Sequence, residues 1–487
     1  MRLLKLICVM ATTVSVPMEA QPPLSMDTSF RTEIQWRYVS DIEFLDDGQL
    51  LVSGELNFPG MLAPYVGLAR LNSDGSRDDT FNGSAGGGML VPWSNNYYVG
   101  VGTGIKRLLQ DGTLDVPYNN PIPYNANQGG GFHVYPDGTV LLTGSRNLRD
   151  TVNFQVYQTN VCLTKLDING QPDTSFVHRS CSNGYARFIH ETPDGKFLLS
   201  GSQSFYDGHA VGNILRIHPD GSLDTTFQNS VNYGAAVSYY FLPDGRFLAA
   251  GVFTMPEYPN DTLEVIRLMP DGTVDMSWPI LDFRQTGAFY AGIGTVSNLL
   301  ELELGKLLAT GLFWDLDGEA VGGIAVIDTS GNILQQYFTG AGCDTVISPS
   351  NIITRYISRA EYAPDGSLYM YGSYKGFDDG FSYDPGQRLI TKLFPLNVGL
   401  EEPIISTKAT ITVYPNPGSD LVQVSWPSDW GRLDVTLHDA TGRTIQKRYE
   451  QTAPARLECA DLSAGYYSIL LAQRGQQRGV VSWLKQE

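Results

Sequence analysis

The chain has 487 residues, among them 52 glycines and 27 prolines, with 11% aromatic side chains and a formal net charge of -18. This length can hold more than one core, and Gly and Pro at this density suit many short strands joined by tight turns, so an all-β protein of two or three domains is expected. The acidity is local, with 22 Lys+Arg against 42 Asp+Glu in 21–403 and 9 against 8 in 404–487; without a basic patch such a surface repels phosphate backbones and anionic lipid, which argues against nucleic-acid and peripheral-membrane partners.

Residues 1–20, MRLLKLICVMATTVSVPMEA, carry positive charge at Arg2 and Lys5, an apolar stretch from Leu6 to Val16, then small or polar residues up to Ala20. That is the order of a secretory signal peptide, with cleavage expected after Ala20 and Met18 an imperfect residue before the cut. The apolar run is short for a bilayer span, and no other segment approaches ~20 consecutive apolar residues.

From residue 27 onward the chain repeats itself. Asp-x-x-aromatic recurs as DTSF ending at Phe30, DDTF at Phe81, DVPY at Tyr118, DTSF at Phe176, DTTF at Phe227 and DMSW at Trp278, with an acid-free copy QQYF at Phe338. A Gly turn precedes most copies, as in Asp74-Gly75 and Asp220-Gly221, and a second series of Gly turns lies midway, as in Asp137-Gly138, Asp194-Gly195 and Asp244-Gly245. One unit reads as strand A, Gly turn, strand B, variable loop, strand C, Gly turn and a short strand D ending in the aromatic; Asp-Gly suits both turns because Gly accepts positive φ and Asp bonds back to the turn amides. Four antiparallel strands per unit make a propeller blade. The last A-B-C set, ending in RLITKLFPLN, lacks its strand D, and the missing piece stands at the other end of the chain as Asp27 to Phe30. Seven blades closed by pairing the two termini are therefore expected, since closure removes exposed sheet edges.

The stretch DGKFLLSGSQSFYDGHAVGNILRIHPDGSLDTTF resembles the delta-60 repeat, a bacterial propeller-type repeat, and the resemblance extends over roughly 27–399. It implies a fold and brings no catalytic residues with it. The tail differs: Tyr414-Pro415-Asn416-Pro417, Asp439 with Thr441-Gly442-Arg443, Leu462 with Ala464-Gly465-Tyr466-Tyr467, and a final apolar strand around Val480 resemble a type IX secretion sorting domain of type A. Taken by themselves, these alternating apolar runs broken at turns predict six or seven short strands and a small Ig-like β-sandwich. The expected organisation is a signal peptide at 1–20, a propeller at 21–399, a linker at 400–410 and the sorting domain at 411–487. The resemblance implies passage across an outer membrane through the type IX machinery, to the medium or the cell surface.

Chemistry is sparse by comparison. The six histidines, His133, His178, His190, His209, His218 and His438, show no paired ligand spacing, and no nucleophile elbow or phosphate-cradling loop is present. The repeated acids Asp27, Asp78, Asp115, Asp173, Asp224 and Asp275, and DLDGE at 315–319, raise the question of calcium, but once-per-blade repetition favours acids that brace their own turns while the aromatics pack between blades. No cofactor is expected. Two function classes stay open: a monomeric binding module for an extracellular glycan or protein, which leads, and a carbohydrate-active enzyme using channel carboxylates. The B to C loops emerge on one face and combine aromatics with acids; Tyr206, Asp207, Tyr258, Trp314, Phe377 and Tyr383 are the candidate ligand residues, with Phe58, Tyr65, Phe154 and Tyr157 in equivalent loops. The second unit has almost no such loop, only Gly102 to Gly104. Of five cysteines, Cys162 at the start of a strand C and Cys181 beyond the following aromatic are the candidate disulfide, since export implies an oxidising compartment.

Overall fold

Each Asp-Gly pair closes a turn in which the acid bonds forward, as Asp74 Oδ1 accepts from the Ser76 amide at 2.9 Å and Gly75 takes φ +88°. The same bond recurs at Asp111, Asp137, Asp220, Asp271 and Asp365. The computed structural model describes residues 23–61, 65–120, 122–285, 292–347, 353–396, 411–416, 418–426, 430–439, 444–473 and 476–486. The expected signal peptide, the 400–410 linker, Pro417 and Gly442 lie outside these.

Between the turns run antiparallel strand sets, each with its strands A, B and C in order. They are Trp36–Phe44, Leu50–Asn57 and Val66–Leu71; Leu90–Trp93, Asn96–Val101 and Gly104–Leu109; Phe132–Val134, Val140–Arg149 and Val156–Leu166; and Ala186–Glu191, Phe197–Gly201 and Ile214–Ile217. There follow Tyr233–Phe241, Phe247–Met255 and Tyr258–Leu268; Thr295–Glu303, Lys306–Leu312 and Ile324–Asp328; and Tyr356–Tyr362, Leu368–Asp378 and Tyr383–Leu393. In the second set only Gly102 and Thr103 join strands B and C. A single bridge adds the fourth strand, as between Leu71 and Arg77 or Ile217 and Leu223. For the last set the bridge comes from the chain start: Met26 pairs with Leu393, and the Asp27 amide donates to Lys392 O at 2.8 Å. Strand A of the first set touches strand A of both the second and the last, so the succession of sets closes on itself.

Two repeat features order the sets. The Asp-x-x-aromatic acid pairs with a base on strand C of its own set, as Arg70–Asp78, Arg107–Asp115, Lys165–Asp173, Arg216–Asp224, Arg267–Asp275 and Lys392–Asp27, and all of these acids but Asp115 also accept from their own turn. The aromatic then lies under the next unit's Gly turn, where a Cβ on Gly112 would sit 2.3 Å from the Phe81 ring and one on Gly272 2.7 Å from Phe227. Strand B carries a second obligatory glycine. Strand A bulges opposite it, and a Cβ at Gly54, Gly201, Gly251 or Gly311 would come within 2.0–2.2 Å of a strand A carbonyl. Just beyond, Phe253 and Phe313 are fully buried, each ring contributing ~2–3 kcal/mol by leaving water.

After strand C of the third set the chain returns as Arg179–Ser182, antiparallel to it, and a disulfide joins Cys162 to Cys181 with the Cα atoms 5.4 Å apart. Cys343 and Cys459 are buried and free.

The chain divides into two compact units, Met1–Val398 and Gly399–Glu487. In the second, Thr412–Tyr414, Leu421–Ser425 and Ala455–Glu458 form one antiparallel sheet and Thr444–Gln451, Leu433–His438, Gly465–Gln473 and Gln476–Lys485 another. Val422, Val424 and Leu457 of the first share a core with Val435, Ile469 and Trp483 of the second. Pro415 and Asn416 are fastened to the final strand: Trp483 Nε1 donates to Pro415 O at 2.9 Å and the Leu484 amide to Asn416 Oδ1 at 2.9 Å. Tyr467 packs on Trp483 and donates to Ser463 O, Gly465 opens its strand at φ +156°, and Tyr414 is exposed.

Candidate functional site

The loops proposed as a ligand face separate into buried and open residues. Tyr206 is fully buried, its hydroxyl donating to Gly221 O at 2.6 Å, and Phe377 is fully buried against Phe338. Both were expected on a ligand face and are core residues instead, because the short hairpin Phe205–Ala210 folds back over Cys181 and strand B of the last set runs on to Asp378. Asp207 occupies a tight turn at φ +46° before Gly208, accepting from the Ser180 amide and pairing with Arg179 at 3.1 Å. Within DLDGE, Asp315 accepts from the Gly318 amide and Asp317 from the Asp282 amide, so both acids serve a second hairpin turn. Among the described residues no cluster of three His, Cys, Asp or Glu is arranged to hold a metal. Tyr258 is half-buried against a core cluster. Tyr383 is exposed, its hydroxyl on Asp344 Oδ2 at 3.0 Å.

Trp314 leads to the most developed feature of this face. Its Nε1 donates to Arg355 O at 3.3 Å and the Arg355 guanidinium lies 5.2 Å over its ring. Beside Arg355, where the last set meets the first, a cavity of about 200 Å³ is lined by Trp36, Arg37, Tyr38, Thr354, Tyr356 and Ser373, together with Val346. Arg37 lies 4.8 Å from Trp36 and 5.2 Å from Tyr65, and pairs with Glu55 at 2.8 Å. Burial and the neighbouring Glu55 push the Tyr38 phenol up, and burial pushes Tyr356 up to about 12, so both rings stay protonated and present hydroxyls. The seam is stitched by Ser373 Oγ donating to Arg37 O and by Ser358 Oγ to Val39 O at 3.3 Å. None of Trp36, Arg37, Tyr38 and Tyr356 was singled out from sequence, although the doublets Arg37-Tyr38 and Arg355-Tyr356 stand in equivalent places of the two sets.

A larger cleft of about 660 Å³ lies between the Phe205–Ala210 hairpin and residues 228–232. Three of its amides are committed to the fold: Asn213 donates to Gly234 O, Asn229 to Gly272 O, and Asn232 accepts from Thr254. The aromatic cavity is the better candidate.

The inner strands carry acids. Asp41 accepts from the Leu90 amide at 2.7 Å and from the Tyr371 hydroxyl at 2.8 Å, with Arg359 at 3.7 Å. Ser238 and Asn298, at the same repeat position, also accept from the next set's strand A, so this position braces neighbouring units. Glu361 bonds to Tyr371. Burial, reinforced by Asp41, raises both Glu43 and Glu361.

Elsewhere, burial and then Asp282 push Glu264 up to about 8. A raised carboxyl favours the folded state most below its unfolded value near 4.5, and that contribution is lost as pH rises through about 8. Glu264→Gln is expected to gain ~2 kcal/mol over wild type at pH 9 and nothing at pH 4, read from urea unfolding at the two pH values. Equal effects at both would show that the charge is not the cause.

Three stretches, 45–81, 192–227 and 242–277, match a family model described as a domain of unknown function (DUF5122) beta-propeller, each running from the A-B turn to the Asp-x-x-aromatic. The chain is a β-propeller protein. Residues 412–481 match the secretion system C-terminal sorting domain. It is therefore a propeller carrying a type IX sorting tail, engages that secretion machinery, and is exported to the cell surface or the medium. No curated protein matches it significantly. Among solved structures, PorZ, a surface component of the type IX secretion system of Porphyromonas gingivalis, is 13% identical over 92% of this chain, which spans only 59% of that one, at a TM-score of 0.34. A gluconolactonase from Xanthomonas campestris is 15% identical over 62% of this chain and 96% of that one, at 0.31. The extracellular domain of a putative one component system from B. thetaiotaomicron is 9% identical over 95% and 99%, at 0.20. At these scores the likenesses carry no functional weight.

Proposed function

We propose that this protein is an exported, monomeric binding propeller of seven blades, delivered by a signal peptide and an Ig-like sorting domain, whose B to C loop face takes an extracellular glycan or protein. The observation that carries this reading is the aromatic cavity at the seam of the first and last blades, on the face where Trp314 and Tyr383 remain accessible. Rings that bury one side and leave hydroxyls at the rim suit recognition better than turnover. A second reading, a carbohydrate-active enzyme, is favoured by Glu43, whose carboxyl is raised to about 7, the range in which a general acid works.

The test is a glycan and protein array probed with the full chain, followed by titration with the captured class. Trp314→Ala combined with Tyr383→Ala is expected to weaken binding about tenfold while the protein stays folded. Capture by neither array, or binding untouched by that pair and lost in Glu43→Gln, would overturn the reading and move the site to the channel.

A further inference from the structure

Resting on that binding reading, we infer that the seam cavity seats one uncharged pyranose ring, and that Arg37 is the residue holding the seat open. The case starts from backbone geometry. In the fifth set Gly234 stands two residues before Ala236, the strand A residue opposite the strand B glycine Gly251, and takes φ +88°; a Cβ there would come 1.8 Å from Val252 O. Gly184 holds the same place before Ala186 at φ +132°, whereas Gly294, in that place before Val296, does not take positive φ. The first set puts Arg37 in that place, two residues before Val39, which faces Gly54, and its φ is +82°. A long side chain therefore occupies a conformation that glycine fills elsewhere in the ring and that costs an L-residue energy. Such strain persists where the surroundings determine it, and it gathers at ligand sites.

What the strain accomplishes is visible at the cavity. The left-handed turn lays the guanidinium over Trp36 and Tyr65 while its charge is met by Glu55, and Arg37 Nε is buried with no hydrogen-bond partner. Trp36 is thereby fixed as a wall of the cavity that Tyr38 and Tyr356 also line. Arg355 holds the equivalent place in the last set without positive φ; its Nε donates to Cys343 O at 2.7 Å. Only the first set carries the strain.

The ligand class follows from the lining. Aromatic walls with neutral phenol and hydroxyl rims match a sugar, which offers apolar C–H faces and hydroxyl edges. Arg37, the cation in the lining, is already neutralised by Glu55, Arg355 beside the cavity is held to Cys343 O and the Trp314 ring, and the large domain is acidic, so an anionic ligand gains little there. An uncharged hexopyranose, as the terminal unit of an extracellular glycan, is the class that fits.

The experiment uses the full chain and calorimetric titration with the methyl pyranosides of glucose, galactose and mannose, against glucuronic acid. At least one neutral pyranoside is expected to bind, and Trp36→Ala to lower its affinity at least tenfold. Arg37→Gly is the discriminating variant. Glycine is at ease at this φ, so the melting temperature should hold or rise, yet affinity should fall about tenfold as Trp36 loses its support. A purely structural Arg37 would lower the melting temperature and leave affinity alone. Neutral pyranoside binding that survives both variants would overturn the seat; preference for glucuronic acid would overturn the uncharged class. Capture of peptides alone on the arrays, with no pyranoside bound, would end the sugar assignment while leaving the binding reading intact.

Discussion

A chain that stops at Val398 accumulates in the periplasm, and its level outside intact cells falls at least tenfold relative to the full chain. The reason is a division of labour between the two units. Closure of the propeller needs Met26 on Leu393 and Asp27 on Lys392, and both partners precede the stop. Among the described residues, the hydrophobic clusters of the large unit draw on none beyond Leu396 and that of the tail on none before Ile411. Truncation thus removes the sorting signal and leaves the propeller's own packing in place, so the missing protein is retained rather than unfolded. Fractionation with a periplasmic marker, and protease resistance of the retained chain, read the result. Truncated protein outside intact cells at full-chain levels would mean that the propeller addresses the export machinery itself.

How much of this was legible in the sequence depends on the distance over which each feature is made. Asp-Gly turns are decided within four residues, so their positions read directly and their hydrogen bonds follow. For every repeated acid but Asp27 the strand C base that pairs with it stands eight residues before it, as Arg70 before Asp78 and Arg216 before Asp224, a regularity present in the sequence but overlooked for want of a reason to expect it. Cys162 and Cys181 were within reach because antiparallel return restricts which residues meet. Loop aromatics were harder. Tyr206, between strands B and C, and Tyr383, at the start of a strand C, share a residue type, yet one is fully buried and the other 56% exposed, because whether a hairpin folds back onto the blade is decided by its packing and not by its composition. The seam cavity was the least accessible: Arg37 and Ser373 are 336 residues apart and meet only when the ring closes.

Loss of the Asp224 carboxylate is expected to cost ~3 kcal/mol, the largest single-residue effect among the repeated acids. Its side chain is 3% exposed and gathers two cations, Arg216 at 2.8 Å on its own strand C and Lys196 at 2.9 Å just before strand B, while its other oxygen accepts from the Thr226 amide and hydroxyl. Burial works against the charge, and these hydrogen bonds overcome it, holding the carboxyl far below the usual range. Asp224→Ala leaves Arg216 without a counter-charge in a half-buried setting and Lys196 with only Asp194 at 3.7 Å, and it opens the turn under Phe227. Asp78, at the same repeat position, is 11% exposed and meets one strand C arginine, so Asp78→Ala should be milder. Asp224→Asn separates charge from turn, since the amide still accepts from Thr226 but pairs with neither base; about half the loss should remain. The pH dependence has a definite sign. A lowered carboxyl contributes its full stability above its unfolded value near 3.8 and loses it as pH falls toward the depressed folded value, so the gap between wild type and Asp224→Asn should be constant from pH 5 to 8 and shrink below about pH 4. Denaturant midpoints across that range measure it, and a gap that stays open down to pH 2 would show that the asparagine disturbs packing rather than charge.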